Sequence, residues 1–183
     1  MLLPVYIYGH PVLREVAREI TSRGEDFEKF LQDMWETMYE ADGIGLAAPQ
    51  VGKNARVFVV DGSSFAGRDP ACAGFKRAFI NARITSRSPE QVTMNEGCLS
   101  VPGIHEDVSR PARITIAYKD EQWNDRVEEL DGMRARIVQH EYDHVEGITF
   151  IDHLSPLKKR LLKNKLLAIS AGKFQKDYRV VLP

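Results

Sequence analysis

Asp131-Gly-Met-Arg-Ala-Arg-Ile-Val-Gln-His-Glu-Tyr-Asp-His-Val145 reads as one helix, with Asp131 as its N-cap and Gly147 as its stop. Towards its C-terminal end stands His140-Glu141-Tyr142-Asp143-His144. Histidines four residues apart on a helix project from one face about one turn apart, the separation that two ligands of a single metal ion need. Glu141 lies one residue round the helix, where it can act as general base on an activated water without itself ligating. A polar helix face can spell the same five residues by coincidence, so the motif is weighed with its surroundings.

A catalytic site of this type keeps three protein ligands and one open position. One extension of the motif places a third histidine six residues on, after a glycine. Gly147 is present, but Phe150 stands at the ligand position. No glutamate follows Glu146, and His153 falls past the helix end and off the metal face. The third ligand therefore lies upstream. Cys98, in Glu96-Gly-Cys-Leu-Ser100, is the best candidate, because a thiolate binds borderline and softer divalent ions strongly. Gly97 and the following Pro102-Gly103 put it in a turn. Alone, Cys98 would read as a buried, inert thiol, and only its pairing with the two histidines favours a ligand. Cys72 has no such partner and reads as incidental.

Around this helix the chain divides into unequal blocks. Asp26 to Ala41 places Phe27, Phe30, Leu31, Met34, Trp35 and Met38 on one helical face, with Gly43 at the C-terminal cap. Arg56–Asp61, Arg77–Ile84 and Ala112–Lys119 read as strands, and Gly62 to Gly74 as a surface loop. A third helix opens at Ser155-Pro156 and runs to about Ala171, and Tyr178–Leu182 reads as a last strand. Blocks rather than repeated βα units predict an α+β fold, with small mixed or antiparallel sheets around the metal-binding helix. The 183 residues fit a single domain spanning 1–183.

Composition narrows the function. Lys+Arg number 25 against Asp+Glu 26, which argues against a dedicated nucleic-acid binder. No apolar run approaches the roughly 18 residues of a membrane span. The first residues lack a basic leader and a small-residue cleavage site, and two cysteines make no disulfide framework. The expectation is a cytoplasmic protein of a reducing compartment.

Gly43-Ile-Gly-Leu-Ala-Ala48 matches G-x-G-x-x-G/A, with Asp61 near the place of a ribose-binding acid. That fingerprint needs a strand before it and a helix after it. Here a helix precedes, and Pro49 and Gly52 follow, so dinucleotide binding is rejected. The segment reads instead as a loop with exposed N–H groups and one terminal amide, Gln50, able to donate to an oxyanion. A plain structural turn explains the glycines equally well.

Taken together, Gly43-Ile-Gly-Leu-Ala-Ala-Pro-Gln50, Glu96-Gly-Cys-Leu-Ser100 and Gln139-His-Glu-Tyr-Asp-His144 resemble the three signature motifs of peptide deformylase, in the same order. The resemblance implies hydrolytic removal of the formyl group from the N-terminal formyl-methionine of new polypeptides, releasing formate. It implies Cys98, His140 and His144 as metal ligands and Glu141 as acid/base. Gln50 and the backbone N–H of Leu99 would form the oxyanion site. The implied metal is Fe²⁺ in the cell, with Zn²⁺, Ni²⁺ or Co²⁺ as substitutes. The chain departs in the length of the Gly62–Gly74 loop and in His105, where several members carry arginine.

Met133 and Ile137 precede the histidines on the metal face, with Ile44 opposite. They read either as lining for the methionine side chain or as ordinary core. An extended peptide would pair with Ile44, Gly45 and Leu46 or with the segment after Cys98. Glu96 is expected beside a ligand, with Arg110 as its partner. Lys158, Lys159, Arg160, Lys163 and Lys165 form either a solvated face or a ribosome-docking surface. Competing readings are a peptidase cutting inside chains and a non-enzymatic fold stapled by metal.

Overall fold

A computed structural model describes residues 1–183. The elements run β1 (Val5–Tyr6), α1 (Glu25–Glu40), β2 (Gly45–Ala47), β3 (Val57–Asp61), β4 (Lys76–Arg87), β5 (Gln91–Cys98) and β6 (Val101–Pro111). Then follow β7 (Arg113–Lys119), β8 (Asp125–Asp131), α2 (Gly132–Val145), α3 (Pro156–Ser170) and β9 (Val180–Val181). A five-stranded antiparallel sheet has the order β2-β3-β4-β7-β8. The antiparallel pair β5–β6 stands apart from it, and β1 pairs in parallel with β9. The fold is α+β, as the block order predicts.

The period-2 alternation of a strand places α1 and α2 on opposite faces of the sheet. Phe58 and Val60 of β3 pack with Phe79, Ile116 and the α2 residues Ile137, Val138 and Tyr142. Val57 and Val59 turn the other way, onto Leu31, Met34 and Met38 of α1. A third cluster joins Val101, Ile104 and Val108 of β6 to Leu166 and Ile169 of α3. Helix α2 is buried at every position from Ala135 to Tyr142. A helix enclosed all round satisfies its polar side chains internally, and here those side chains make the site.

Both ends of α2 are closed by other segments. Asp131 is the N-cap residue, but its side chain makes no capping bond. The Met133 N–H donates instead to Asp69 Oδ2 at 3.0 Å, a residue of the 62–74 segment. That segment is not a featureless loop: it holds 3₁₀ turns at Ser63–Phe65 and Pro70–Cys72, and Cys72 is buried. At the other end Gly147 (φ +73°) terminates the helix, as expected. The fully buried Arg56 donates to the Val145 carbonyl, the Tyr142 hydroxyl and the Glu146 carboxylate. A guanidinium on the last carbonyls complements the negative end of the helix dipole.

Several expectations need correction. Asp42 (φ +55°), not Gly43, takes the left-handed position after α1, and the Gly43 N–H donates to the Met38 carbonyl. Gly43 is small for another reason: a Cβ there would press on Leu99 Cδ1 at 2.9 Å. Gly45–Ala47 is a buried strand paired with β3, not an open loop. The β5–β6 pair, β1 and β8 escaped the pattern reading altogether. Strand β1 is only two residues long, β5 exposes the uncharged polar residues Gln91, Thr93 and Asn95, and β8 exposes mostly charged ones, so little apolar alternation is left to see.

Candidate metal centre

Cys98, His140 and His144 each offer one ligand atom, and these atoms lie within 4.8 Å of one another. The imidazoles come from adjacent turns of α2, with ring centroids 5.3 Å apart. The sulfur comes from the last residue of β5, just before the chain turns at Leu99-Ser100 into β6. Cys98 Sγ lies 3.4 Å from His144 Nε2.

Each donor is oriented by its neighbours. His140 Nδ1 lies 2.8 Å from Glu96 Oε1, which leaves Nε2 as the ring's remaining nitrogen. Glu96 also accepts two bonds from Arg110, at 2.7 and 2.9 Å, and one from Arg136 at 2.6 Å. The expected Glu96–Arg110 pair is present. Arg136 is an addition that sequence reasoning missed. It stands four residues before His140 and also donates to the carbonyls of Val108 and Val92, so it ties α2 to both hairpin strands. Arg110 reaches Asp143 Oδ2 at 2.7 Å, and His153 Nε2 meets the same oxygen at 2.7 Å. His153 thus lies off the metal face, as expected, at the outer end of the network. Gln139 donates to the Pro111 carbonyl at 2.9 Å. The signal for Arg136 was available only as a charged residue inside an otherwise enclosed helix.

Buried charge sets the protonation of these groups. Burial pushes the Glu96 carboxyl up, but the His140 and Arg110 bonds outweigh it and hold it well below the carboxylate range. Burial likewise raises the Cys98 thiol. The electrostatic pull of His144 and the bonds from both histidines overcome that and bring it down to about 5. Burial alone dominates at Glu141 and raises it to about 7. Cys98 is thus poised as a thiolate, the form in which sulfur ligates metals.

The residues fit a metal ion. Three donors of mixed Cys/His chemistry converge, and on the same helix, next to His140, Glu141 Oε2 is buried without a hydrogen-bond partner. An orphaned carboxylate oxygen at such depth is costly unless something polar meets it. Gly45 lies directly against this carboxylate, and a Cβ there would overlap it. Gln50 stands opposite, in a 3₁₀ turn over Ala48–Val51. Its Oε1 accepts the Ala47 N–H at 2.9 Å, which points Nε2 at Cys98 Sγ (3.4 Å) and Ser100 Oγ (3.2 Å). Of the apolar residues singled out, Ile137 is buried in the main core, Met133 packs against that core, and Ile44 is exposed. His105 is exposed and lies over the Gly97 backbone.

An α+β fold with an enclosed His-Glu-x-x-His helix and a converging thiol defines the class, a metal-dependent hydrolase. The chain matches the polypeptide deformylase family over residues 2–160. It is 49% identical to a peptide deformylase of Cytophaga hutchinsonii, covering 100% of this chain and 98% of that one. It is 47% identical to one of Flavobacterium psychrophilum, covering 100% and 97%. The crystal structure of peptide deformylase from Thermotoga maritima superposes with a TM-score of 0.77 at 39% identity, covering 85% of this chain and 99% of that one. The chain belongs to the polypeptide deformylase family, whose members are metal-dependent hydrolases that remove the formyl group from N-formylmethionyl peptides.

Proposed function

We propose that this chain releases formate from N-formylmethionyl nascent peptides at the Cys98, His140 and His144 centre. The observation that carries this reading is the partnerless Glu141 Oε2, buried beside three convergent donors. Those three side chains would hold a divalent ion, whose Lewis acidity makes water nucleophilic near neutral pH. Glu141 takes a proton from the attacking water and returns it to the leaving amine nitrogen. Carbon–nitrogen cleavage then yields formate and a free N-terminus. Gln50 Nε2 and the Leu99 N–H donate to the oxygen that gains charge in the transition state. Such a donor contributes about 3 kcal/mol in other hydrolases.

Gly45 gives the peptide close access to Glu141, and β2 lies at the edge of its sheet, where an extended backbone can add. Ile44, with Ile137 and Met133 one and two turns before Glu141 on α2, is assigned to the methionine side chain. The mixed thiolate and imidazole set accepts Fe²⁺, Zn²⁺, Ni²⁺ or Co²⁺, and the family resemblance supports Fe²⁺ as the resident ion with the others as substitutes. A nascent substrate places the protein in the cytoplasm, and no helix is long and apolar enough to cross a membrane. Helix α3 supports ribosome docking: Leu157 and Leu161 are exposed beside Lys159, Arg160 and Lys163.

Protein purified without oxygen, with its metal analysed, is assayed on formyl-Met-Ala-Ser and acetyl-Met-Ala-Ser. Formate without acetate is the expected result, and equal cleavage of both or cuts inside the peptide would overturn the reading. Glu141→Gln is expected to lower kcat by roughly 10²–10⁴-fold with metal content unchanged.

A further inference from the structure

The turn at Leu99-Ser100 carries the Cys98 sulfur on one side and the Leu99 N–H on the other, so its backbone angles aim two functional groups at once. A two-residue connection has few internal bonds of its own. Its two carbonyls are held from outside. The Ser100 carbonyl accepts the Tyr8 N–H at 2.8 Å. The Leu99 carbonyl accepts the hydroxyl of Tyr178 at 2.7 Å.

Tyr178 lies beyond residue 160, where the family match ends. Its neighbours Gln175, Lys176, Asp177 and Arg179 are all exposed, while Tyr178 is tucked in. The segment that delivers it is fastened on both sides. Phe174 packs into the third core cluster, and β9 pairs with β1 through Val5 N–H to the Arg179 carbonyl (2.8 Å) and Ile7 N–H to the Val181 carbonyl (2.9 Å). Strand β1 leads into Tyr8, so one terminal pair supplies both carbonyl anchors of the turn.

We propose that Tyr178 is a positioning residue for the deformylation reaction: its bond holds the Leu99–Ser100 peptide plane and, through the Leu99 backbone, restrains the preceding Cys98–Leu99 peptide whose N–H meets the oxyanion. This rests on the deformylase reading above. Burial, then the nearby Cys98, pushes the phenol up to about 12, so the hydroxyl remains a donor throughout the neutral range. The hydroxyl's hydrogen bond goes to the Leu99 carbonyl, so Tyr178 acts through that backbone.

Tyr178→Phe in the full chain removes one oxygen atom. The expected result is a fall in kcat of roughly tenfold, as befits a loosened rather than deleted donor. KM should stay within about twofold, and metal content and Tm should not change. Amide exchange across residues 98–101 should accelerate while that of α2 does not. Unchanged kcat in an active enzyme would overturn the proposal. So would a loss matched by equal losses of metal or Tm, which marks a merely structural bond. If the wild type released no formate, the deformylase reading would fall and take the positioning role with it. In a wild type that does release formate, the exchange data test the positioning role alone. Unchanged exchange across the turn would end it.

Discussion

Helix α2 and the β5–β6 hairpin bring their ligands to one point by different means. On α2, Ala135, Ile137, Val138, Tyr142 and Val145 pack into the main apolar core, and the spacing of His140 and His144 follows from the helix itself. The hairpin belongs to another cluster and carries its sulfur at the connecting turn. Its place relative to α2 depends on directed bonds: Arg136 to Glu96 and two strand carbonyls, Gln50 to Ser100, and Tyr8 to the Ser100 carbonyl. Apolar packing is tolerant in direction, whereas charge-assisted hydrogen bonds fix distance and angle. The ligand delivered by the less regular element is the one surrounded by such bonds.

Substitutions on the two sides should therefore differ in kind. Cys98→Ala is expected to have the largest effect, abolishing stoichiometric metal binding and formate release. The helical circular dichroism should be retained, because α2 does not need the sulfur to form. Metal analysis and far-UV spectra check this. Loss of helix would show that the two regions fold as one unit around the ion.

Glu96→Gln strikes the joint itself. It leaves Arg110 and Arg136 without their shared buried carboxylate, so a stability loss of about 3–5 kcal/mol is expected. Metal affinity should weaken by roughly 10–100-fold, because His140 loses the partner that orients it. Urea unfolding and chelator competition measure the two effects.

Asp69→Ala should be the mildest change. It removes a cap from α2, costing about 1 kcal/mol, and should lower Tm by roughly 2–4 °C. Metal affinity should stay within about twofold if the helix sets its own histidine spacing. An affinity loss as large as that of Glu96→Gln would erase the contrast between helix and hairpin.

The legible parts of the chain were those governed by short-range rules. Helix α2, its histidine pair and the Gly147 stop follow from local spacing, and Ser155 caps α3 through its bond from the Lys158 N–H, as its position suggested. Cys98 was reached by excluding other ligands rather than from any strand pattern. The hairpin was illegible because half of its positions face solvent or the polar network and carry no apolar period. Arg136 and Tyr178 were invisible for a related reason: each acts on a partner distant in sequence.

Local sequence, through helical periodicity and capping, by itself determined that two imidazoles one turn apart and the carboxylate between them lie on one helix. Only the tertiary structure decided that the Cys98 thiol meets them, that Glu96 is clamped by two arginines, and that Asp69 rather than Asp131 caps α2. The physical reason is range. Backbone geometry within a helix is set by neighbours a few residues apart, whereas the sulfur and its supporting bonds join residues 14 to 92 positions apart, and only the folded chain brings those together.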